Sequence, residues 1–413
     1  MLPSLYLDIP IEQIDQWLDL TYGNSSPAPL YSSVDVRISE YKAAAVDTNL
    51  FSAGFNNIHS ADIEATAAAF AITIKKTHPG CRRILLVPEE HTRNLWYLEN
   101  IAVLNRILES AHFEVTIATF LDNDPEYCAN SDRLVIRSAT GTEVTLNCLH
   151  RIIQHIRDGS ESFDLAVLNN DLTAGIPTVL TLLQIPIEPP PEAGWHQRHK
   201  SDHFNFTRTI LDRAAEEFKF DPWLFRCEQS VVDNVDVTLD HDRTRLADAA
   251  TSLFKTIAER YRTHNISEKP LIFLKSDSGT YGMGVMPIED PMEIVELNRK
   301  GRNKLHKGKG SQPIHRFILQ EGIPSSLRID GMTSEPCIYQ VGTQIVGGFY
   351  RQNNSKSNRD NLNSQGMQFT PFVWKSAHSL SLQPPLRSVC SVVAKVAAYA
   401  AGLELAALRQ QKI

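Results

Sequence analysis

The chain has 413 residues, of which 42% are hydrophobic and 22% charged, and its formal net charge at pH 7 is −7. These values are typical of a globular protein with two or three domains, and the negative balance argues against nucleic-acid partners. No apolar run approaches the roughly 20 residues of a membrane-spanning helix, so we expect no membrane partner. The six cysteines are scattered without a CxxC pair, which predicts free thiols in a cytoplasmic protein.

Residues 1–75 are predicted to be mainly helical. Residues 11–20 form a short amphipathic segment, and residues 60–76 have an alanine-rich body behind a serine that can cap a helix. Residues 34–47 fit either a strand or a helix, and their pattern does not decide between the two.

From residue 82 onward, short apolar strands alternate with helical sequence. The pattern predicts strands at 83–88, 114–120 and 163–168, a hairpin at 134–146 and a helix at 94–112. This alternation is typical of an open α/β sheet, in which ligands bind beyond the carboxyl ends of the strands. Two polar clusters, 89–94 and 169–175, follow such ends. Each either binds a small polar substrate or is a polar loop that caps a helix.

A proline-rich stretch at 185–191 is predicted to be an extended linker. It divides the chain into an N-terminal domain, residues 1–190, and a C-terminal part, residues 191–413. The segment after it contains three histidines, but no cysteine or carboxylate completes a tetrahedral metal set at regular spacing. An anion-binding role for Arg198 and Lys200 is therefore the better interpretation of this segment.

Residues 270–287 carry the most informative pattern in the chain. A buried strand leads to Lys275, then to a loop with glycines at 279, 282 and 284, and the chain returns as a second strand. Glycines let backbone N–H groups approach an anion closely, and the lysine adds a positive charge. A helix-opening phosphate loop carries its lysine after the glycines, so this hairpin predicts a different, flexible phosphate clamp. The alternative is a glycine-rich hairpin with a surface lysine.

The remaining segments place polar residues at strand ends and in loops. A strand at 317–321 ends in Gln-Glu, and residues 335–351 form a predicted β-hairpin bracketed by Glu335 and Arg351. The loop that follows, 352–366, contains five asparagines and needs either disorder or a ligand to order it. The basic segment 299–310 is interpreted as a solvated insertion rather than a lid, and the Ala- and Val-rich helix at 386–408 is predicted to be buried.

Taken in order, the lysine strand, the glycine loop, the Gln-Glu strand end, the hairpin and the asparagine-rich loop resemble the ATP-grasp superfamily. The chain is further similar to a minor bacterial type of glutamate–cysteine ligase, a resemblance carried by the stretches LNNDLTAGIP, GWHQRHKSDHF, LKSDSGTYGMGVM, EPCIYQVG and GGFYRQN with NLNSQGMQF. It covers nearly the whole chain. It implies an α/β fold in which an open N-terminal sheet domain, binding substrate, precedes α+β ATP-grasp lobes that hold ATP between them.

The resemblance implies a reaction as well as a fold. ATP would activate the γ-carboxylate of glutamate as an acyl phosphate, and the amine of cysteine would displace phosphate to give γ-glutamylcysteine, the first step of glutathione biosynthesis. The implied cofactors are ATP and Mg²⁺, and the implied partners are the small-molecule substrates. The sequence does not decide whether the protein forms a homo-oligomer. The alternatives are another carboxylate–amine ligase of the superfamily or a nucleotide-binding protein without turnover.

The resemblance and the loop positions assign roles to individual residues. Arg351 and Lys275 would be catalytic, because both can neutralise charge on the transferred phosphoryl group. The residues expected to bind the nucleotide are Lys275, Ser278, Gly279, Tyr281, Gly282, Met283, Gly284, Gln320, Glu321 and Ile323. Those expected to bind metal are Glu335, Asn361 and Asn363. The candidates for binding substrate, chosen for their place in loops and for the affinity of arginine for carboxylates, are Arg93, Asn170, Arg198, Lys200 and Arg359.

One departure from the superfamily affects the metal assignment. Its members usually carry a metal-binding carboxylate and an asparagine on a strand after the last helix. Nothing like Glu-x-Asn follows Leu408 in this sequence. Either Glu335 and the asparagine-rich loop hold the metals instead, or the sequence is truncated.

Overall fold

The computed structural model describes residues 9–23, 28–90, 93–120, 133–279, 284–306, 314–374 and 382–410. Its strands are β1 (Tyr31–Ile38), β2 (Ala43–Asn49), β3 (Arg83–Pro88), β4 (Glu114–Thr119), β5 (Arg133–Arg137), β6 (Glu143–Cys148), β7 (Leu165–Asn169), β8 (Ile187–Glu188), β9 (Gln229–Val232), β10 (Ile272–Ser276), β11 (Met286–Ile288), β12 (Phe317–Glu321), β13 (Arg328–Ile329), β14 (Met332–Val341), β15 (Gln344–Asn353) and β16 (Met367–Phe372). Its helices are α1 (Ile11–Tyr22), α2 (Ile63–Thr77), α3 (Leu95–Ser110), α4 (Leu149–Arg157), α5 (Thr178–Thr181), α6 (Lys200–Phe218), α7 (Asp240–Thr263), α8 (Met292–Val295), α9 (Arg299–His306) and α10 (Pro384–Gln410). The mixture of helices and sheets confirms the predicted α/β class.

The first sheet is the predicted open α/β sheet, with strand order β5-β6-β4-β3-β7-β8. Its five strands from β6 to β8 run parallel, and β5 pairs antiparallel with β6 as the expected hairpin. The central strand β3 is buried on both faces, as the apolar run from Ile84 to Val87 requires. Pro88 and Asn169 are paired at the carboxyl ends of β3 and β7, so the two polar clusters start side by side.

The second sheet contains the lysine strand and has the order β11-β10-β12-β9, with every pair antiparallel. β10 and β11 pair directly, which confirms the predicted strand and returning strand around the glycine loop. Residues 280–283 at the tip of that loop lie outside the described residues. Lys275 is opposite Ile318 on β12, and Phe273 is opposite Gln320.

The third sheet joins the two ends of the chain. Its order is β16-β15-β14-β1-β2, with β13 on β14, and all pairs are antiparallel. Residues 34–47, whose pattern left strand and helix open, thus belong to a β-hairpin, and the prediction of a mainly helical start holds for α1 and α2 but is wrong for β1 and β2. The domain division at residue 190 stays a prediction, and this hairpin is the segment that crosses it.

Helix α10 is the core helix behind the third sheet. By length and composition its span from Leu386 to Gln410 could cross a membrane, but 78% of its most apolar window is buried inside the fold. It packs on β1, β2 and β14, and on α1 and α6. The prediction of a buried closing helix is therefore confirmed.

A buried ionic cluster ties α10 to the rest of the fold. The Nε and Nη2 atoms of Arg198 donate to the carboxylate of Glu404 on α10 at 2.7 and 3.1 Å, and its Nη1 donates to the backbone oxygen of Thr48 on β2 at 2.6 Å. His203 on α6 lies 3.1 Å from the same carboxylate. Arg198 and Glu404 are nearly fully buried, so each charge depends on the other for compensation.

We expect Glu404→Gln to destabilise the protein by about 3 kcal/mol, because it leaves the buried Arg198 charge without its partner. The matched control is Glu143→Gln, which removes the carboxylate of an exposed pair with Arg137 and should change stability by less than about 1 kcal/mol. Urea unfolding followed by circular dichroism measures both. Equal stability of the two variants would show that the buried pair contributes no more than a surface pair.

Candidate functional site

Two adjoining cavities lie between the three sheets. A narrow one of about 60 Å³ lies between β10 and the third sheet. A larger one of about 640 Å³ lies between the third sheet and the carboxyl ends of the parallel strands. Both cavities are lined by Asp35, Asp47, Arg351 and Asn363. The two cavities therefore form one cleft with a common wall.

The common wall is one face of the third sheet. Side chains directly opposite each other in paired antiparallel strands point to the same face, so the register identifies which residues stand in one row. One row consists of Phe369, Arg351 and Glu335, and the next consists of Phe349, Cys337, Asp35 and Asp47. Strands from both ends of the chain thus build a single charged surface.

The charges on this wall are paired with one another. Nη1 of Arg351 donates to Asp35 at 2.7 Å and to Glu335 at 2.8 Å, and Arg37 binds the other oxygen of Glu335. Burial raises the pKa of the Glu335 carboxyl, but Arg37 and Arg351 outweigh burial and hold that pKa below its usual value. The Nε of Arg351 is buried and makes no hydrogen bond to the described residues, so the guanidinium retains a donor for a ligand.

Lys275 lies on the other side of the narrow cavity. Its Nζ donates to the side-chain oxygen of Gln320 at 2.6 Å and to the backbone oxygen of Val46 at 3.2 Å. Burial lowers the pKa of Lys275 to about 8, against the opposing charge of Asp47. Lys200 donates to Asp47 at 2.6 Å. Burial raises the pKa of Asp47, but Lys200 and Lys275 outweigh burial and keep that pKa low, so the carboxylate of Asp47 stays ionised.

The narrow cavity has the chemistry of an anion site. Its lining includes four basic side chains and three carboxylates, namely Arg37, Lys200, Lys275, Arg351, Asp35, Asp47 and Glu335. Ser278 and Gly279 bring the start of the glycine loop to the same cavity. Gly279 has a positive φ of 90° and open space where a Cβ would stand, so its backbone can approach an anion closely. This arrangement suits a polyphosphate, which carries several charges at once.

The structure brings some of the predicted site residues together. Those that line the cleft are Lys200, Lys275, Ser278, Gly279, Glu335, Arg351, Asn361 and Asn363. Gln320 is adjacent through its hydrogen bond to Lys275. Those that line neither cavity are Arg93, Asn170, Arg198, Gly284, Glu321, Ile323 and Arg359. The predicted nucleotide-binding residues Tyr281, Gly282 and Met283 lie outside the described residues.

Glu321, which was expected to accept a hydrogen bond from the ribose or adenine of a nucleotide, has hydrogen-bond partners within the protein. One carboxylate oxygen accepts from Lys42 Nζ at 2.8 Å and from Trp223 Nε1 at 3.2 Å, and all three side chains are buried. Ile323 packs nearby against Ala44 and Cys227 in a small apolar cluster. Gly284 lines neither cavity, and a Cβ added at this position would stand closest to the backbone oxygen of Lys304.

The other residues predicted to bind substrate either have hydrogen-bond partners within the protein or are exposed to solvent. Arg198 is in the buried pair with Glu404, and Arg359 binds Glu289 and the backbone oxygens of residues 269 and 270. Arg93 is exposed to solvent. The side-chain oxygen of Asn170 accepts from the backbone N–H of Leu172 at 3.0 Å, as part of a turn. Arg198, Arg359 and Asn170 thus already have partners within the protein, which their sequence positions did not reveal.

Four site residues that sequence reasoning missed lie on the β1–β2 hairpin, namely Asp35, Arg37, Asp47 and Asn49. The available signal was period-two polarity, since each pair is separated by one residue, as on one face of a strand. Asp47-Thr48-Asn49 is also an acid-x-asparagine pattern of the kind expected after the last helix. It occurs instead near the start of the chain, on a strand against which α10 packs.

The larger cavity is walled by the two polar clusters and by the loop after β2. Glu89 and Asn94 come from the first cluster, and Asp171 comes from the second. The loop is held by Asn100, whose side-chain oxygen accepts from the backbone N–H of Gly54 at 2.8 Å. Gly54 has a φ of 130°, and a Cβ there would stand 2.6 Å from the hydroxyl of Tyr339, so only glycine fits. Both clusters therefore contribute to a cavity, while Asn94 also caps α3 by accepting from the backbone N–H of Tyr97 at 3.1 Å, as the helix-cap interpretation predicted. Substrate binding by the clusters stays a prediction.

The cleft offers oxygen donors but no preformed carboxylate cage for a metal. Within the described parts of the chain, no group of three or more His, Cys, Asp or Glu side chains could hold a metal ion. Mg²⁺ is usually bound by one or two carboxylates together with substrate phosphates, so such a cage is not required. Asp47, Asn49 and Asn363 supply carboxylate and amide oxygens at the common wall. Asn361 is partly engaged, because its side-chain oxygen accepts from the backbone N–H of Asn363 at 3.0 Å.

Comparison with known proteins assigns the chain to a family. Residues 8–405 match the glutamate-cysteine ligase family, GshA. The crystal structure of a provisionally assigned gamma-glutamylcysteine synthetase from Methylobacillus flagellatus KT is similar at 30% identity and a TM-score of 0.83, over 98% of this chain and 94% of that one. A glutathione synthetase-like effector from Globodera pallida matches at only 10% identity and a TM-score of 0.40, over 89% and 80% of the two chains. This similarity is too low to indicate a shared function. The search of curated proteins gives no match.

Proposed function

The chain belongs to the glutamate–cysteine ligase family, and we propose that the cleft between its three sheets is where that reaction takes place. The protein is a ligase that joins glutamate to cysteine, a step of glutathione biosynthesis, and membership of this family implies use of ATP. The observation that carries the proposal is that Lys275 and Arg351 both line the narrow cavity, while Arg351 also lines the larger one. A phosphoryl group in the first cavity and an amino acid in the second could therefore meet at Arg351.

In the proposed arrangement the ATP phosphates occupy the narrow cavity. Lys275 and Lys200 would bind phosphate oxygens as point charges, and Arg37 and Arg351 would bind them through their guanidinium groups. The amides of the glycine loop, from Ser278 onward, would add backbone donors. This is the ATP-grasp arrangement that the resemblance implies, with the third sheet and the β10 sheet on either side of the nucleotide.

The two amino acids would occupy the larger cavity. The γ-carboxylate of glutamate would lie at the common wall and attack the γ-phosphorus of ATP, so that ADP leaves and an acyl phosphate forms. The amine of cysteine would then attack the acyl carbon, and phosphate would leave with the activating oxygen. Arg351, which faces both cavities, would neutralise the charge that develops in both steps. The protein's own share is positioning and charge neutralisation, since no nucleophilic side chain is needed.

The donor set at the common wall fits Mg²⁺ bound together with ATP. We propose Asp47, Asn49 and Asn363 as its protein ligands, and Glu335 and Asn361 as more distant contributors, because Glu335 is already held by two arginines. Mg²⁺ would supply charge neutralisation to the phosphates. The five buried cysteines within the described residues form no disulfide, which supports the proposal of a cytoplasmic enzyme.

The proposed function predicts ADP release that depends on both amino acids. With ATP, Mg²⁺ and glutamate plus cysteine we expect turnover, and with either amino acid alone we expect only a background rate. A coupled assay for ADP, together with mass detection of γ-glutamylcysteine, measures this. Turnover that does not require cysteine would favour another carboxylate–amine ligase, and ATP binding without ADP release under any substrate pair would favour a protein without turnover.

The lowered pKa of Lys275 predicts a pH dependence. Lys275 is charged below about pH 8 and neutral above it, so kcat/KM for ATP should fall as pH rises, approaching about tenfold per pH unit. In Lys275→Arg the charge persists, so this fall should be absent up to roughly pH 9.5. Steady-state kinetics at saturating amino acids measures both profiles. If the arginine variant showed the same fall as the wild type, the titrating group would not be Lys275.

The proposed metal ligands predict a loss of metal affinity that can be measured without turnover. Asp47→Asn and Asn49→Ala should each weaken Mn²⁺ binding, in the presence of a non-hydrolysable ATP analogue, by about tenfold or more. Electron paramagnetic resonance of free Mn²⁺ measures this directly. Asp330→Asn, which removes an exposed carboxylate outside both cavities, is the matched control and should bind Mn²⁺ normally. Unchanged affinity in both site variants would contradict the assignment.

A further inference from the structure

The wall of the larger cavity has two chemically different parts. One part is polar, with carboxylates and several side-chain amides such as Glu89, Asn94 and Asp171. The other is apolar and is formed by Phe51, Trp96, Phe349, Met367 and Phe369. A cavity that binds only charged groups needs no such apolar part, so the division indicates that some ligand group is uncharged.

Three of these five apolar side chains are exposed to an extent that packing does not explain, whereas Phe51 and Phe349 are buried. Trp96 is 65% exposed, and Met367 and Phe369 are each 39% exposed. They are three of the ten large hydrophobic side chains that the described residues leave exposed, and all three line this one cavity. Exposed apolar side chains that gather at a cavity mark a binding surface.

The register brings this apolar surface next to the reacting groups. Phe369 on β16 is directly opposite Arg351 on β15, so the two side chains stand together on the cleft face. Phe349 is two residues before Arg351 on the same strand and points to the same face. The rings of Phe349 and Phe369 meet edge to face, with centroids 5.0 Å apart and an interplanar angle of 71°. Met367, two residues before Phe369, extends the surface along β16.

Of the two amino-acid substrates, only cysteine has a side chain that ends in an uncharged group. With its γ-carboxylate at Arg351, glutamate still carries an ammonium and a carboxylate, both of which need polar partners. Cysteine must turn its amine toward the acyl carbon, and its carboxylate is charged. Its CH₂–SH group alone gains from an apolar surface, and a thiol makes favourable contacts with aromatic rings and with a methionine thioether.

On the basis of the proposed function, we propose that Phe369, Met367 and Phe349 bind the side chain of cysteine and select it over serine. A serine hydroxyl placed on this surface would lose its water without gaining a hydrogen-bond partner, whereas a thiol loses little. Phe369 also lies beside Arg351, so a thiol bound here would leave the amine of the same amino acid close to the reacting carbon. The three residues are therefore assigned as determinants of specificity and not as catalytic groups.

The experiment compares three acceptors that differ only in the side-chain terminus, namely cysteine, α-aminobutyrate and serine. The variants are Met367→Ala, Phe369→Leu, which retains apolar volume without the ring, and the matched control Met292→Ala. Met292 is an exposed methionine, 51% accessible, that lines neither cavity. The kcat/KM for each acceptor and the KM for ATP are measured in all four proteins.

We expect Met367→Ala and Phe369→Leu to lower kcat/KM for cysteine by about tenfold and for serine by less than about twofold, so that the preference for cysteine over serine falls by about fivefold to tenfold. The KM for ATP should not change, and Met292→Ala should behave as the wild type. An equal fall for all three acceptors would overturn the inference, because it would mean that these side chains merely support Arg351. An unchanged preference would overturn it too.

The same data separate this inference from the proposed function. If wild-type protein released ADP with glutamate and cysteine while the variants retained full preference for cysteine, the function would stand and the thiol surface would be rejected. If the wild type released no ADP with that pair, both would be rejected. Direct binding of cysteine in the presence of an ATP analogue, measured by calorimetry, gives a second readout in which Phe369→Leu should weaken cysteine but not serine.

Discussion

The ion pairs among Arg351, Asp35, Glu335 and Arg37 are the interaction on which the cleft depends. They are buried, and a buried charge is tolerated only when a partner compensates it. Arg351 and Asp35 are separated by 316 positions in the chain. Compensation therefore requires β1, near the start of the chain, to stand beside β14 and β15, near its end. The same contact that satisfies these charges also closes the third sheet and creates the wall shared by the two cavities.

This construction explains how a surface of dense charge can be rigid before any ligand arrives. Arg37 and Arg351 are each held at a fixed position by a carboxylate, and basic groups keep the pKa of Glu335 and of Asp47 low. Dipoles and charges that are already oriented need little rearrangement when the charge of a transition state develops. A phosphoryl group that enters between Lys275 and Arg351 meets such an environment on both sides.

The parts that the sequence could predict are those with local signals. The strands of the open sheet, the hairpin around the glycine loop, Lys275 and Arg351 all follow from runs of apolar residues and turn residues. The parts that it could not predict depend on partners far along the chain. Arg198 and Lys200 are two residues apart and carry the same charge. Lys200 lines the cleft, whereas Arg198 lies outside it because Glu404, 206 positions away from Arg198, binds its guanidinium. No local pattern distinguishes these two outcomes.

The order of strands in the third sheet brings an acid-x-asparagine pattern, Asp47 and Asn49, to the cleft from near the start of the chain. In the proposed site a strand with such a pattern stands beside the phosphates, but nothing in the geometry requires it to come last in the chain. Here the β1–β2 hairpin that carries the pattern packs on α10. Because a sheet is defined by hydrogen bonds and not by chain order, the same wall can be assembled from either end. A motif search that assumes chain order will therefore miss Asp47 and Asn49, whereas one that asks which polar residues share a strand face would find them.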